Sequence, residues 1–163
     1  MGPLSSVKNK KIAVDVVNDS RPDKQRIGWK RNGFGQKTAN IEATKPVTNI
    51  IRNTITTIFK KNGYGINKDN NVVIKGDVQQ FWIDINIHAF SVDFVENIKV
   101  KLQVKDKKTN KVIYENTYAG HYTEKSLGGL DETLQRVMDK TLDNLASQIS
   151  FDDDLVSALK KAS

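Results

Sequence analysis

The sequence predicts an α+β fold, and three observations carry that prediction. Three long strand-like segments follow one another over 72–122. A segment with the apolar period of a helix precedes them and another follows. One further strand-like segment stands near the start of the chain. Runs of strands flanked by helices, rather than strict alternation, place helices on one sheet face. The expected order is β-α-β-β-β-α: an antiparallel sheet of about four strands with two main helices packed on one face and a short C-terminal helix.

At 163 residues, 37% apolar and 28% charged, the chain has the size and composition of a single globular α+β domain, read as 11–163. Residues 1–10 read as a flexible, appended N-terminus, because the first six lack the apolar core of a signal peptide. No apolar run approaches the roughly 18–20 residues needed to span a bilayer.

Over 11–18, Ile12, Val14 and Val16 alternate with Ala13, Asp15 and Val17, the pattern of a short strand. Asp19, Ser20, Arg21, Pro22 and Asp23 end it with turn chemistry. The next stretch, to residue 43, is polar and dotted with glycine, with short strand pieces around Ile27-Gly28-Trp29 and Thr38-Ala39-Asn40-Ile41. A connection this long is expected to be functional, mobile or laid over a strand edge. Thr44 is placed to cap a helix with Pro46 in its first turn. Val47, Ile51, Ile55 and Ile58 form the apolar stripe, and Asn62-Gly63 closes the helix with a residue tolerant of left-handed backbone.

In the meander, Val72, Ile74 and Val78 share one parity, whereas Phe81, Ile83, Ile85 and Ile87 share the other. Side chains alternate faces, so this switch predicts a bulge near Gln79-Gln80. The second strand holds one parity from Phe94 to Val104, and a hairpin at 106–110 leads to a third with Val112, Tyr114, Tyr118 and Tyr122 in phase. After Gly128-Gly129, Leu134, Met138, Leu142, Leu145 and Ile149 give the second helical stripe. Ser150 is placed to cap a last short helix, with Asp152, Asp153 and Asp154 at its positive end and Leu155 and Leu159 docking it.

The inventory of reactive groups is thin. There is no cysteine, which excludes disulfides, thiolate catalysis and cysteine-ligated metals. The segment 28–35 has two glycines at P-loop spacing, yet Phe34-Gly35 stand where that loop needs Lys and Ser or Thr. His88 and His121 are isolated, with Asp84 and Glu124 as conceivable partners for a metal or general base, and read more simply as surface residues. Ser20 and Ser126 have no nearby histidine to activate them. Asp152-Asp153-Asp154 suits a helix cap better than a Ca²⁺ or Mg²⁺ site, and the three tyrosines suit packing against a helix. No catalytic, cofactor-binding or metal-binding residue is assigned, and a non-enzymatic chain without cofactor is expected.

The net charge of +7 invites an anion, nucleic-acid or membrane-surface reading, although thinly spread lysines also make an ordinary solvated surface. The basic, aromatic loop over 21–37 is the one candidate surface. Its residues Arg21, Arg26, Trp29, Lys30, Arg31 and Phe34 are those expected to grip an anion or a partner. A solvated loop with its aromatics folded back is the simpler alternative. Known nucleic-acid motifs are absent, so nucleic acid is not an expected partner.

The order of segments resembles the YajG-type bacterial lipoproteins. The likeness runs through the Val14-Asp15-Val16-Val17-Asn18-Asp19-Ser20-Arg21-Pro22 stretch and the helix ending Lys61-Asn62-Gly63-Tyr64. It continues over 72–82, the hairpin over 99–118 and the last helix pair. The resemblance implies a periplasmic domain tethered by an N-terminal lipid to a membrane, the outer one, with no catalytic residues to carry over. No signal peptide or lipobox cysteine stands in this sequence, so the anchor is expected on residues that preceded it. A protein or cell-envelope component is the expected partner, self-association is compatible with this reading, and an anion or nucleic-acid binding module using 21–37 is the alternative.

Overall fold

The computed structural model describes residues 2–7 and 10–162, apart from the side chain of Val16. Its strands are β1 (Lys11–Asp19), β2 (Arg26–Arg31), β3 (Lys37–Glu42), β4 (Gly65–Ile66), β5 (Val72–Ile87), β6 (Val92–Asp106) and β7 (Lys111–Ser126). Helix α1 (Val47–Lys61) lies between β3 and β4, and α2 (Leu130–Ser150) and α3 (Asp153–Lys161) end the chain. The fold is α+β as expected, but the sheet is larger and mixed: seven strands rather than about four antiparallel ones.

The difference comes from β5. At 16 residues it is about 50 Å long at the usual strand rise. One of its edges carries β6 along its whole length, antiparallel. The other edge carries two shorter strands end to end, both parallel. β1 pairs Ala13–Asp19 with positions 73–78, and β2 pairs Gly28–Arg31 with positions 83–86. β3 and β7 extend the sheet antiparallel from β2 and β6, and β4 pairs with β1. The polar stretch at 24–43 is therefore a hairpin that covers the far half of the β5 edge.

The register of β5 against β6 slips between Val78 and Gln80, where the parity switch predicts a bulge. The extra residue returns Phe81, Ile83 and Ile85 to the face already taken by Val72, Ile74 and Val78, and all six are buried. The slip also falls where β1 ends, at Asp19 opposite Val78, before β2 begins.

Both main helices cover that same face. Gly76 and Gly120 stand in register with Leu102 and Ile98 of β6; Ile55 of α1 reaches the first glycine, and Thr141 and Leu145 of α2 reach the second. In α1, Val47, Ile51, Ile55, Ile58 and Phe59 are buried. Gly63 follows its C-cap at φ 89°, as the Asn62-Gly63 pair suggests. The N-cap is Pro46 rather than Thr44, because Thr44 stands two residues outside the helix, too far back for its hydroxyl to reach the first-turn amides.

The face of α2 is also corrected. Its buried line is Thr133, Val137, Thr141, Leu145 and Ile149, while Leu134, Met138 and Leu142 are half-buried. A Cβ at Gly120 would lie 2.4 Å from the Thr141 carbonyl oxygen, so α2 approaches β7 too closely for a row of leucines. Threonine fits there because its hydroxyl is satisfied locally: Thr141 Oγ1 donates to the Val137 carbonyl at 2.8 Å. The final helix is capped by Asp152, not Ser150. Asp152 accepts from the amides of Asp154 and Leu155, with Asp153 and Asp154 in the first turn as expected for that end of the dipole. Within the N-terminus read as flexible, Pro3–Ser6 form a 3₁₀ turn, and Leu4 is fully buried in the one core cluster that extends to Leu159; Lys8 and Asn9 lie outside the described residues.

Candidate functional site

The expected basic and aromatic segment is brought together on the sheet face turned away from α1 and α2. Trp29 stands in register with Asp84, and Trp82 lies two residues earlier on β5, out of phase with buried Phe81 and Ile83. The two indoles meet edge to face, with ring centroids 4.8 Å apart and an interplanar angle of 86°. Three cations surround Trp29: Lys37 Nζ lies 3.0 Å from its ring centroid, and the guanidinium carbons of Arg31 and Arg26 lie at 5.4 and 5.6 Å.

Beside the pair is a hollow of about 300 Å³, lined by Pro22, Arg26, Trp29, Gln79, Gln80 and Trp82 among others. The β5 bulge makes this wall. It leaves Gln79 and Gln80 both exposed, so two planar amides stand next to two half-buried indoles. Apolar ring surface bordered by amide and guanidinium donors is suited to a ligand with both apolar and hydrogen-bonding faces.

The cations are partly neutralised. Arg26 is paired with Asp23, whose carboxyl is held down to about 2 by hydrogen bonds from the Arg26 amide and guanidinium. Arg31 Nε lies 3.5 Å from Asp84, and one of its terminal nitrogens donates to the Gly35 carbonyl at 3.2 Å. Lys37 makes no ion pair among the described residues.

Of the six candidate residues, Arg26, Trp29 and Arg31 meet. Arg21 also lines the hollow, but its guanidinium is not free to take a ligand. It is 5% exposed and occupied: its guanidinium donates to both Asp19 carboxylate oxygens at 2.9 and 2.8 Å and to the carbonyls of Arg26 and Lys24 at 3.1 Å each. Lys30 stands in register with buried Ile85, on the opposite face from Trp29. Phe34 is 92% exposed at the tip of the β2–β3 turn. There Asn32 Oδ1 accepts from the amides of Phe34 and Gln36, 3.0 Å each. Lys37, from the same basic segment, and Gln79 and Gln80, at the expected bulge, complete the site together with Trp82, which sequence reasoning did not assign to it. A tryptophan on the outward parity of an otherwise inward-packed strand was the available signal for Trp82.

The other reactive groups are dispersed. His88 contacts Asp93 at 3.0 Å, and His121, in the middle of β7, contacts Asn97 at 2.7 Å. The partners first considered are engaged elsewhere, Asp84 with Arg31 and Glu124 with Arg136. Ser20 donates to Asp77, and Ser126 contacts Thr133. The two glycines at P-loop spacing belong to a β-hairpin, with no helix behind them to hold a phosphate. The hydroxyls of Tyr114 and Tyr118 donate to Asp152 Oδ2 at 2.5 and 2.6 Å. Burial raises the Asp152 carboxyl, but hydrogen bonds from Tyr114, Tyr118, Asn116 and the Leu155 amide outweigh it and bring the group to about 2.

A family model described as uncharacterised lipoprotein matches residues 4–160. No curated protein sequence matches. Among solved structures, the chain is similar to XCC0632 of Xanthomonas campestris, with a TM-score of 0.60 at 13% identity over 86% of this chain and 81% of that one. It is similar to a minor lipoprotein of Acinetobacter baumannii (TM-score 0.50, 13% identity, 86% and 89% covered). A third similar structure is the Helicobacter pylori homolog of a neuraminyllactose-binding hemagglutinin (TM-score 0.50, 10% identity, 96% and 93% covered). At such identities the likeness is one of fold.

Proposed function

This chain belongs to the uncharacterised lipoprotein family whose model it matches over residues 4–160, and from that premise we propose that it is a non-enzymatic binding domain of the bacterial envelope. Membership bears out the resemblance to the YajG-type lipoproteins. In this reading an N-terminal lipid tethers the full-length protein to the outer membrane and the domain works in the periplasm. The Trp29–Trp82 hollow is where it engages a protein or another envelope component.

The observation that supports this reading best is the placement of the two indoles. They lie on the sheet face away from the helices, in contact with each other and beside the exposed amides of Gln79 and Gln80. Aromatic anchors within a polar rim are the usual composition of a recognition surface. The test of the tether is metabolic labelling of the full-length gene product with a fatty-acid analogue, followed by fractionation. Labelled protein in the outer-membrane fraction is expected; unlabelled protein in the cytoplasm would sink the reading.

One observation favours a second reading, an anion or nucleic-acid binding module over 21–37: three cations surround Trp29. The pairing of Arg26 with Asp23 and of Arg31 with Asp84 weakens it. It requires oligonucleotide binding that falls steeply with salt and is lost in Arg31→Glu; absent or salt-independent binding removes it.

A further inference from the structure

A second cavity, sharing no residue with the Trp29–Trp82 hollow, lies about 20 Å away along the β5 outer face, at a strand rise of about 3.4 Å per residue. Its volume is about 200 Å³, and Ala13, Val73, Lys68, Lys75, Lys105 and Lys107 line it together with Asp15 and Asn110. The four lysines come from three places in the chain: the β4–β5 connection, β5 itself, and the end of β6 with the hairpin after it. Asn110, with a left-handed φ of 57°, turns that hairpin beside the cavity.

The floor is apolar. Ala13 and Val73 are register partners, and they are only 3% and 6% exposed although the Val73 parity faces away from α1 and α2. The charge around this floor is unbalanced. Asp15 is the one carboxylate in the lining, and Lys75 Nζ lies 3.5 Å from it. The nearby Asp106 is turned to the hairpin, where it accepts from the Thr109 amide at 3.0 Å. Lys68, Lys105 and Lys107 make no ion pair among the described residues.

Three ammonium groups around one cavity repel one another, and surfaces ordinarily intersperse both signs. Lysine stems can cover apolar surface while their heads stay in water, which accounts for the buried floor. It does not account for three like charges converging from separate segments with one paired carboxylate among them. An anion with several acceptor oxygens would relieve that repulsion, and ammonium groups suit phosphate as mobile point charges. We propose that this cavity binds a phosphate-bearing ligand through Lys68, Lys105 and Lys107, with Lys75 held in place by Asp15.

The test titrates the whole chain with inorganic pyrophosphate by calorimetry, and separately measures its co-sedimentation with phosphatidylcholine vesicles with and without phosphatidylglycerol. Two charge-matched variants are compared: Lys68→Gln/Lys105→Gln/Lys107→Gln, and a control on the helices, Lys60→Gln/Lys61→Gln/Lys140→Gln. These lysines lie at the surface, and circular dichroism checks that both variants stay folded. The expected result is saturable binding that weakens by about tenfold or more in the cavity variant relative to the control, as loss of three converging charges implies. Binding of pyrophosphate identifies a soluble phosphate source; binding of the phosphatidylglycerol vesicles alone identifies a lipid headgroup. Equal weakening in both variants, or binding of neither probe by the unaltered chain, overturns the proposal and leaves the Trp29–Trp82 reading untouched.

Discussion

Trp82 of β5 and Trp29 of β2 meet edge to face at 4.8 Å on a parallel strand pair. The contact pins the β2–β3 hairpin to the far half of β5, just past the bulge that exposes Gln79 and Gln80. Trp82→Ala should lower stability by about 1–3 kcal/mol, less than a fully buried tryptophan because the ring is half-exposed. Urea denaturation reads this directly, and an unchanged midpoint would show that the pair does not hold the hairpin.

Arg21 should prove structural. Its guanidinium is buried against Asp19, itself 13% exposed, and bridges the end of β1 to the carbonyls ahead of β2. Arg21→Ala should cost about 1–3 kcal/mol, since it leaves the partly buried Asp19 carboxylate and the carbonyls of Lys24 and Arg26 without their donor. Burial raises the Asp19 carboxyl, but bonds from Arg21 lower it further than burial raises it. The stabilisation is therefore present above the unfolded carboxylate pKa and lost as pH falls through the lower folded value. A denaturation midpoint within the error of the parent protein would contradict this assignment.

Gly120 sets how closely α2 can approach the sheet. Gly120→Ala would place a methyl group 2.4 Å from the Thr141 carbonyl oxygen, a backbone atom that cannot rotate away. A loss of about 1–3 kcal/mol is expected from overpacking. Gly128→Ala serves as the control, because nothing lies within 4 Å of a Cβ there. Thermal melts of the two variants should separate clearly; coincident melts would mean that α2 shifts freely.

Glu96 on β6 is fully buried beneath α2, where its carboxylate has no well-formed hydrogen bond: Thr141 lies close, but its hydroxyl donates to the Val137 carbonyl. Burial pushes its carboxyl up from 4.5 to about 7. Between those values the unfolded chain has released this proton and the folded chain retains it, so stability falls as pH rises through that window. The fall should be about 3 kcal/mol, from the energy equivalent of the shift. In Glu96→Gln the slope between pH 5 and about 7 should flatten. A parent protein whose denaturation midpoint is already flat there would contradict the burial of this acid.

Much of the fold was legible because it depends on local periodicity. The parity switch at Gln79-Gln80 located the bulge, the Val47–Ile58 stripe located the α1 core face, and Asn62-Gly63 located its end. What was not legible depends on partners distant in sequence. The end-to-end placement of β1 and β2 on one β5 edge has no local signature, since β2 is polar and lacks clean alternation. The deepest line of α2 is set by a glycine on β7, so the expected stripe shares Leu145 and Ile149 with it while Leu134, Met138 and Leu142 lie at its half-buried margin. At the candidate site, composition singled out Trp29 with Arg26 and Arg31. The burial of Arg21, however, is decided by Asp19 and carbonyls brought together only in the fold, and the reversal of Lys30 by its register with Ile85.

The most direct test of the binding surface is co-sedimentation of the purified chain with isolated peptidoglycan sacculi and with outer-membrane vesicles, comparing the parent with Trp82→Ala and Gln79→Ala/Gln80→Ala. The proposal predicts saturable binding to one of these fractions, weakened by about tenfold in Trp82→Ala, as for a central aromatic anchor, with both variants folded by circular dichroism. Binding of neither fraction by the parent, or equal binding by the parent and Trp82→Ala, would contradict it.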